Sequence, residues 1–194
     1  MRRTVAQVCI LLLALACKSK DKEATPPPPV AQPVRQGKFS AAFGNALDGV
    51  MGSYDGVVRN LSKGDTSAAG KEGRAFLAGL DSLSFKDFAT DTLVYQTAIQ
   101  QLADTRTELR GLLGEVTLDG RRQSFNMVSQ DLYDLLRTIR YDRKTLYFAE
   151  CVTALGEDKP GDWISISADT TSMVNPYRAA PGCAQIKDSL PLRP

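Results

Sequence analysis

The segment TLVYQTAIQQLADTRTELRGLLGE, residues 92–115, decides the fold. Its apolar residues Tyr95, Ile99, Leu102, Leu109 and Leu113, continued by Val116, advance by fours and threes, and Arg106 alone stands at an expected core place. Such steps bring side chains back to one face of an α-helix, whereas a half-buried strand would alternate every two residues. An amphipathic helix of this length must lay its stripe against other apolar surfaces, so the flanking sequence should hold its companions.

It does. Downstream, Phe125, Val128, Leu132, Leu135 and Ile139 repeat the spacing in a helix running to about Tyr141, with residues 117–120 turning the chain between the two. Upstream, Ala69, Phe76, Leu80 and Leu83 form a narrower stripe ending near Ser82. Before it, Phe39, Phe43, Leu47, Val50, Met51, Tyr54, Val57 and Leu61 line a face over residues 38–62. Gly64-Asp65-Thr66 reads as the stop of that helix and the cap of the next. Gly44, Gly49, Gly52 and Gly56 weaken the first helix, each by about 1 kcal/mol relative to Ala, so either tertiary contacts compensate or the helix is broken there. Small residues also permit the close approach of a neighbouring helix.

Four amphipathic helices joined by short connections predict a mainly α fold, a four-helix up-down bundle over residues 38–143. Residues 144–194 break the pattern, because Pro160, Pro176, Pro181 and Gly182 forbid a long helix. Leu146-Tyr147-Phe148 and Trp163-Ile164-Ser165-Ile166 read as short extended segments in an irregular tail packed on the bundle, within the same domain. Trp163 and Tyr177 read as core aromatics covering the bundle, and Asn175-Pro176 as a turn.

The amino-terminal residues describe a different environment. Arg2 and Arg3 precede a short apolar run from Val8 to Ala16, interrupted by Cys9, which has the form of a signal peptide over residues 1–16. The run is too short to span a bilayer, which needs about 20 apolar residues. Leu13-Ala14-Leu15-Ala16-Cys17 resembles a lipobox, with Ala14 and Leu15 where Leu and a small residue are usual, and marks Cys17 as the lipid acceptor. A plain secretory signal cut after Ala16 is the alternative. Residues 17–37 read as a lipidated, disordered tether containing Pro26-Pro27-Pro28-Pro29. Lys18 after the acceptor fits outer-membrane sorting, and Lys18-Ser19-Lys20-Asp21-Lys22-Glu23 faintly resembles surface-export signals, so the expected location is the bacterial envelope with the leaflet open.

Charge and residue inventory narrow the function. Without Arg2 and Arg3 the chain carries 22 basic and 22 acidic side chains, which argues against nucleic acid as a partner and leaves the membrane to the lipid anchor. The chain has no histidine, which excludes Ser-His-Asp and Cys-His arrangements and histidine metal sites. No phosphate-binding glycine loop or nucleophile elbow is present, and no carboxylate pair is singled out for acid-base work. Arg137, Arg140, Arg143 and Lys144 read as cations complementing the end of the fourth helix, with an anionic partner as the alternative. Once Cys9 leaves with the signal and Cys17 is acylated, only Cys151 and Cys183 remain, one pair in an oxidising compartment.

Thr145-Leu146-Tyr147-Phe148-Ala149-Glu150-Cys151, Gly161-Asp162-Trp163-Ile164-Ser165, Val174-Asn175-Pro176-Tyr177 and then Cys183 together resemble the family known as domain of unknown function 3347. The likeness extends upstream through Arg122, Phe125, Ser129 and Leu132. It implies an envelope protein related to heavy-metal efflux components, with Trp163, Ser165, Asn175, Pro176 and Tyr177 as motif residues. Copper would be the implied cofactor, held by Cys151, Cys183 and Met173, since soft sulfur donors suit Cu(I). The family pattern has Pro and Met after the first cysteine and Met before the second; here Val152-Thr153 and Ala180-Pro181-Gly182 stand there. A Cys151–Cys183 disulfide without any cofactor is the favoured reading, and closing that loop would stabilise by about 3 to 4 kcal/mol in the chain-entropy model. The metal site and two separate thiols are its rivals. The resulting expectation is a non-enzymatic, membrane-tethered binding or scaffold module with an envelope protein partner, the alternative being a periplasmic Cu(I) or heavy-metal-binding protein.

Overall fold

Each helix begins where a short polar side chain satisfies a backbone N–H that the first turn leaves over. Ser40 accepts from Phe43 N, Asp65 from Ala68 N, Asp91 from Val94 N and Thr117 from Gly120 N. In the computed structural model, which describes residues 40–177 and 182–191, these caps open helices α1 (Ala41–Lys63), α2 (Thr66–Ser82), α3 (Thr92–Gly114) and α4 (Leu118–Thr138). The signal over 1–16, Cys17, the tether over 17–37, Phe39 and Pro181 lie outside the described residues. Among the described residues no helix is long and apolar enough to cross a membrane.

The four expected helices are present. Glycines do not break α1, which is continuous, and Gly64 ends it in the left-handed conformation (φ 76°) that a side chain would strain. α1 packs on α2 and α3 on α4, with α2 joining the two hairpins through α3. Leu47, Tyr54, Phe76, Leu109, Phe125 and Leu132 are among the fully buried side chains of the shared core.

Three local expectations need correction. The buried line of α3 is Ala98, Leu102, Thr105, Leu109 and Leu112, while Ile99 and Val116 are exposed and Tyr95 and Leu113 are half-buried. The 4-3 period was read correctly, but the face is rotated by about one residue, because Ala98 and Thr105 fill core places without being strongly apolar. Arg106, now beside that line, donates to Leu80 O at 2.7 Å and pairs with Asp81. Thr117 is the cap of α4 rather than the start of a turn running to residue 120, since Leu118 is already helical. A one-turn 3-10 helix at Phe85–Phe88, absent from the sequence reading, bridges α2 and α3 and sets both phenylalanine rings on Phe43 at 5.5 Å.

The two extended segments foreseen in the tail become β1 (Leu146–Cys151) and β2 (Gly161–Ser165), joined by an unforeseen third strand, β3 (Ala184–Leu190). They form an antiparallel sheet in the order β2-β1-β3, pairing Ala149 with Trp163 on one side and with Ile186 on the other. A register shift between Phe148 and Ala149 bulges the β1/β3 ladder. β2 lies against α4.

Candidate functional site

The motif residues of the tail converge on the bundle. Trp163 is wholly buried and meets Tyr177 edge-on at 6.0 Å, and Tyr177 in turn lies 6.3 Å from Phe125 of α4. The Tyr177 hydroxyl donates to Asp162 O at 2.6 Å. Burial keeps that hydroxyl protonated by pushing its pKa well up, so it serves as a donor and not as a phenolate. Gly161 opens β2 beneath the Tyr177 ring, where a Cβ would fall 2.8 Å from ring carbons and 2.7 Å from Ala154 Cβ. Only glycine fits that approach. Asn175 makes the expected turn, its Oδ1 accepting from Tyr177 N at 2.8 Å.

Arg122 fixes the turn to the helices. Its guanidinium is nearly buried, donating from Nε to Pro176 O and from Nη2 to Leu61 O, both at 3.0 Å. Leu61 O, in the last turn of α1, also accepts from Gly64 N at 3.1 Å, so one side chain of α4 joins the capped end of α1 to the tail. A second tie runs through Tyr54. Ile164 N donates to Tyr54 Oη at 2.8 Å, Tyr54 Oη donates to Ser129 Oγ at 2.9 Å, and Ser129 Oγ donates to Phe125 O at 2.9 Å. This directed relay joins β2, α1 and α4, and burial raises the Tyr54 pKa, which keeps its proton in place. Asn126 accepts from Asp162 N at 2.7 Å, and Gln130 donates to Asp162 Oδ2 at 2.8 Å. Burial lifts the Asp162 carboxyl above its ordinary range while the Gln130 bond opposes the shift.

Cys151 and Cys183 are brought to disulfide distance, with Cα atoms 5.1 Å apart at the junction of β1 and β3. Asn175 Nδ2 donates to Cys183 Sγ at 3.2 Å, which connects this pair to the turn. Met173 is buried on the wall of a cavity of about 90 Å³ together with Trp163. Ser165, half-buried, shares that wall, and its Oγ accepts from Ser167 N at 3.0 Å.

Two residues of the basic cluster at the end of α4 make internal pairs. Arg143 reaches Asp48 of α1 at 2.8 Å, and Arg137 lies between Asp134 and Asp188 and over the Tyr133 ring. An acidic neighbourhood between α3 and α4 carries no signature in the residue pattern. There Asp131 is pushed up to about 6, first by burial and then by the charges of Glu108, Asp104 and Asp134. Tyr54, Asn126 and Gln130 were also missed as ties to the tail; their polar atoms on otherwise apolar or ordinary helix faces were the only signal.

Two cavities lie beside these contacts. A cavity of about 140 Å³, lined by Asp48, Met51, Gly52, Tyr141, Leu146 and Ile166 among others, adjoins the 90 Å³ cavity, since both share Asp55, Ile164, Ser165 and Ile166. No family model, curated protein or solved structure matches this chain.

Proposed function

We propose that the chain is a non-enzymatic, membrane-tethered module of the bacterial cell envelope that binds or scaffolds another envelope component. One observation carries the choice between binding module and metal site: the motif residues are engaged with one another and with the helices. The Cys151 and Cys183 sulfurs lie at disulfide distance, and Trp163, Tyr177 and Arg122 make intramolecular contacts that hold the tail. A thiolate site for Cu(I) needs both sulfurs reduced and turned toward a metal. In this reading they form a disulfide, as the oxidising envelope favours. The relation to the domain of unknown function 3347 family, through the ordered motifs from Thr145 to Cys183, is part of the proposal and supports an envelope location.

Lipidation at Cys17 supplies the tether, because several acyl chains at about 0.8 kcal/mol per buried methylene hold a protein on its membrane stably. Expression of the full chain with and without globomycin, alongside Cys17→Ser, tests the anchor. Processing should be globomycin-sensitive and the variant should leave the membrane fraction; a wild-type chain found soluble overturns the anchor. Counting thiols by alkylation without reductant, with Cu(I) titrated against a competing chelator, tests the sulfur assignment. Two blocked thiols and no competition are expected, while two free thiols that retain copper stoichiometrically would replace the scaffold with a metal carrier.

A further inference from the structure

β3 adds little to the core. Five of its seven residues are exposed, and only Ala184 and Leu190, at its two ends, are partly covered. Its non-covalent ties are the bulged ladder to β1 and the pairs Lys187–Glu150 and Arg137–Asp188, whose cations are about half-exposed and hold weakly. Fixing a strand costs backbone entropy at every residue, and side-chain burial is what ordinarily offsets it. Here the Cys151–Cys183 pair takes the place of that burial, joining the start of β3 to the end of β1.

The two sulfurs are not equally reachable. Cys151 is wholly buried, whereas Cys183 is only partly covered. Each has a hydrogen-bond donor beside it. Asn175 Nδ2 donates to Cys183 Sγ at 3.2 Å, and the Thr153 hydroxyl lies 3.8 Å from Cys151 Sγ, which in a disulfide has no proton to give. A donor aimed at sulfur favours its thiolate, and a better-stabilised thiolate is a better leaving group in thiol–disulfide exchange. Asn175 is held in that pose, because its Oδ1 accepts from Tyr177 N while Arg122 holds the neighbouring Pro176 O.

β2 and the turn have fastenings of their own. Asn126 and Tyr54 take the backbone N–H groups of Asp162 and Ile164, and the Tyr177 hydroxyl binds Asp162 O. Opening the sulfur pair therefore frees one strand while the bundle, β2 and the turn keep their contacts.

We propose that the Cys151–Cys183 pair is a redox latch, which a dithiol reductant opens in the folded protein so that β3 leaves the sheet and bares the outer edge of β1. This rests on the disulfide reading given above. The reductant's thiolate attacks Cys183 Sγ, the reachable sulfur, and forms a mixed disulfide while Cys151 departs as a thiolate and takes a proton. The reductant's second thiolate then attacks its own sulfur in the mixed disulfide, and Cys183 leaves as the thiolate facing Asn175 and is protonated in turn. Two electrons and two protons pass from the dithiol to the pair, and the dithiol ends as a disulfide.

The full chain in detergent, without denaturant, would first be alkylated in the absence of reductant, with Cys151 and Cys183 followed by peptide mass. Two free thiols at that stage overturn the disulfide reading and the latch with it, whereas failure at any later step overturns the latch alone. Dithiothreitol is then added and the reaction quenched by alkylation at intervals. The rate of reduction should rise in proportion to dithiothreitol concentration, and the monothiol 2-mercaptoethanol should leave its adduct on Cys183 with Cys151 free. Hydrogen exchange over 184–190 should then accelerate by about tenfold or more, with β2 and the four helices within about twofold of the oxidised chain. The double variant Cys151→Ala, Cys183→Ala should show the same exchange pattern without reductant. A rate that levels off at that of global unfolding, an adduct on Cys151, β3 protection unchanged by reduction, or acceleration shared equally by β2 would each overturn the latch and leave the pair a plain structural staple.

Discussion

At one edge of the sheet β2 is buried at four of its five residues, whereas at the other edge β3 is exposed at five of its seven. Both strands pair with β1 alone, so both leave a row of backbone groups facing outward. Along β2 that row is met by the bundle, through Asn126 at Asp162 N and Tyr54 at Ile164 N. Along β3 the protection is of another kind: a bulged ladder, the charged residues Lys187 and Asp188, and the Cys183 sulfur at disulfide distance from Cys151. Lys187 pairs with Glu150 at 3.0 Å on the surface, where such a pair contributes at most about 1 kcal/mol. One edge is therefore part of the core, and the other is held to the molecule chiefly by the ladder and two sulfur atoms.

Two variants should separate the edges. Trp163→Ala removes the largest side chain of the β2 side, and loss of a fully buried Trp costs about 4 kcal/mol. Hydrogen exchange should accelerate along β2 and the 175–177 turn while the helices keep their circular dichroism. A loss below about 1 kcal/mol in denaturant unfolding would mean that β2 is not anchored by this ring. The double variant Cys151→Ala, Cys183→Ala should cost about 3 kcal/mol by loop entropy, with exchange rising in β3 before β2. Equal loss of protection in both strands would erase the distinction between the edges.

The same contrast explains what the sequence disclosed. The helices were legible because burial on one side imprints a period, and the N-caps Ser40, Asp65, Asp91 and Thr117 are written in residue type. The face of α3 was misplaced because Ala98 and Thr105 carry core positions without a strong apolar signature. β2 was recognisable as an apolar run, Trp163-Ile164-Ser165-Ile166. β3 was not, since a strand exposed on both faces imposes no alternation, and its sequence Ala184-Gln185-Ile186-Lys187-Asp188-Ser189-Leu190 reads as surface. The cavities beside β2 were illegible for a further reason: Gly52 lies on α1, Tyr141 in the connection after α4 and Trp163 on β2, and their coming together depends on tertiary contacts. The sequence motifs, in contrast, extend to Arg122 and Ser129, whose buried hydrogen bonds tie α4 to the tail and to Tyr54.

The relay beneath β2 makes a finer test of how that edge is covered. Tyr54→Phe keeps the ring and its stacking on Phe125 at 5.3 Å, but leaves Ile164 N without an acceptor and Ser129 Oγ without its donor. An unsatisfied buried N–H costs about 2 kcal/mol, and the cost should appear as a shift in the denaturant midpoint at unchanged slope. Ser129→Ala, combined with Tyr54→Phe in a double-mutant cycle, should show coupling, because both hydroxyls belong to one chain of donors. Strict additivity would mean that Tyr54 covers the edge by shape and not by hydrogen bonding.

The smallest expected effect comes from a place that touches neither edge and so serves as their control. Asp131, between α3 and α4, titrates near 6 in the folded chain, raised by burial and by Glu108, Asp104 and Asp134, against an ordinary value of 3.8. A carboxyl with a raised folded pKa holds its proton more tightly in the folded state, so the fold loses stability as pH rises through the window from about 4 to 6. The site is partly open to solvent, and after allowance for screening the loss is about 1 kcal/mol. Asp131→Asn should therefore be more stable than the wild type by about that amount at pH 7 and equal to it near pH 3.5, as read from denaturant midpoints across pH. Because the gain lies in the helical pair, exchange in β2 and β3 should slow by the same factor wherever it proceeds through global unfolding. A pH dependence that survives unchanged in Asp131→Asn would instead be assigned to Asp162, whose carboxyl burial also raises, and would move the titration from the bundle to the covered edge.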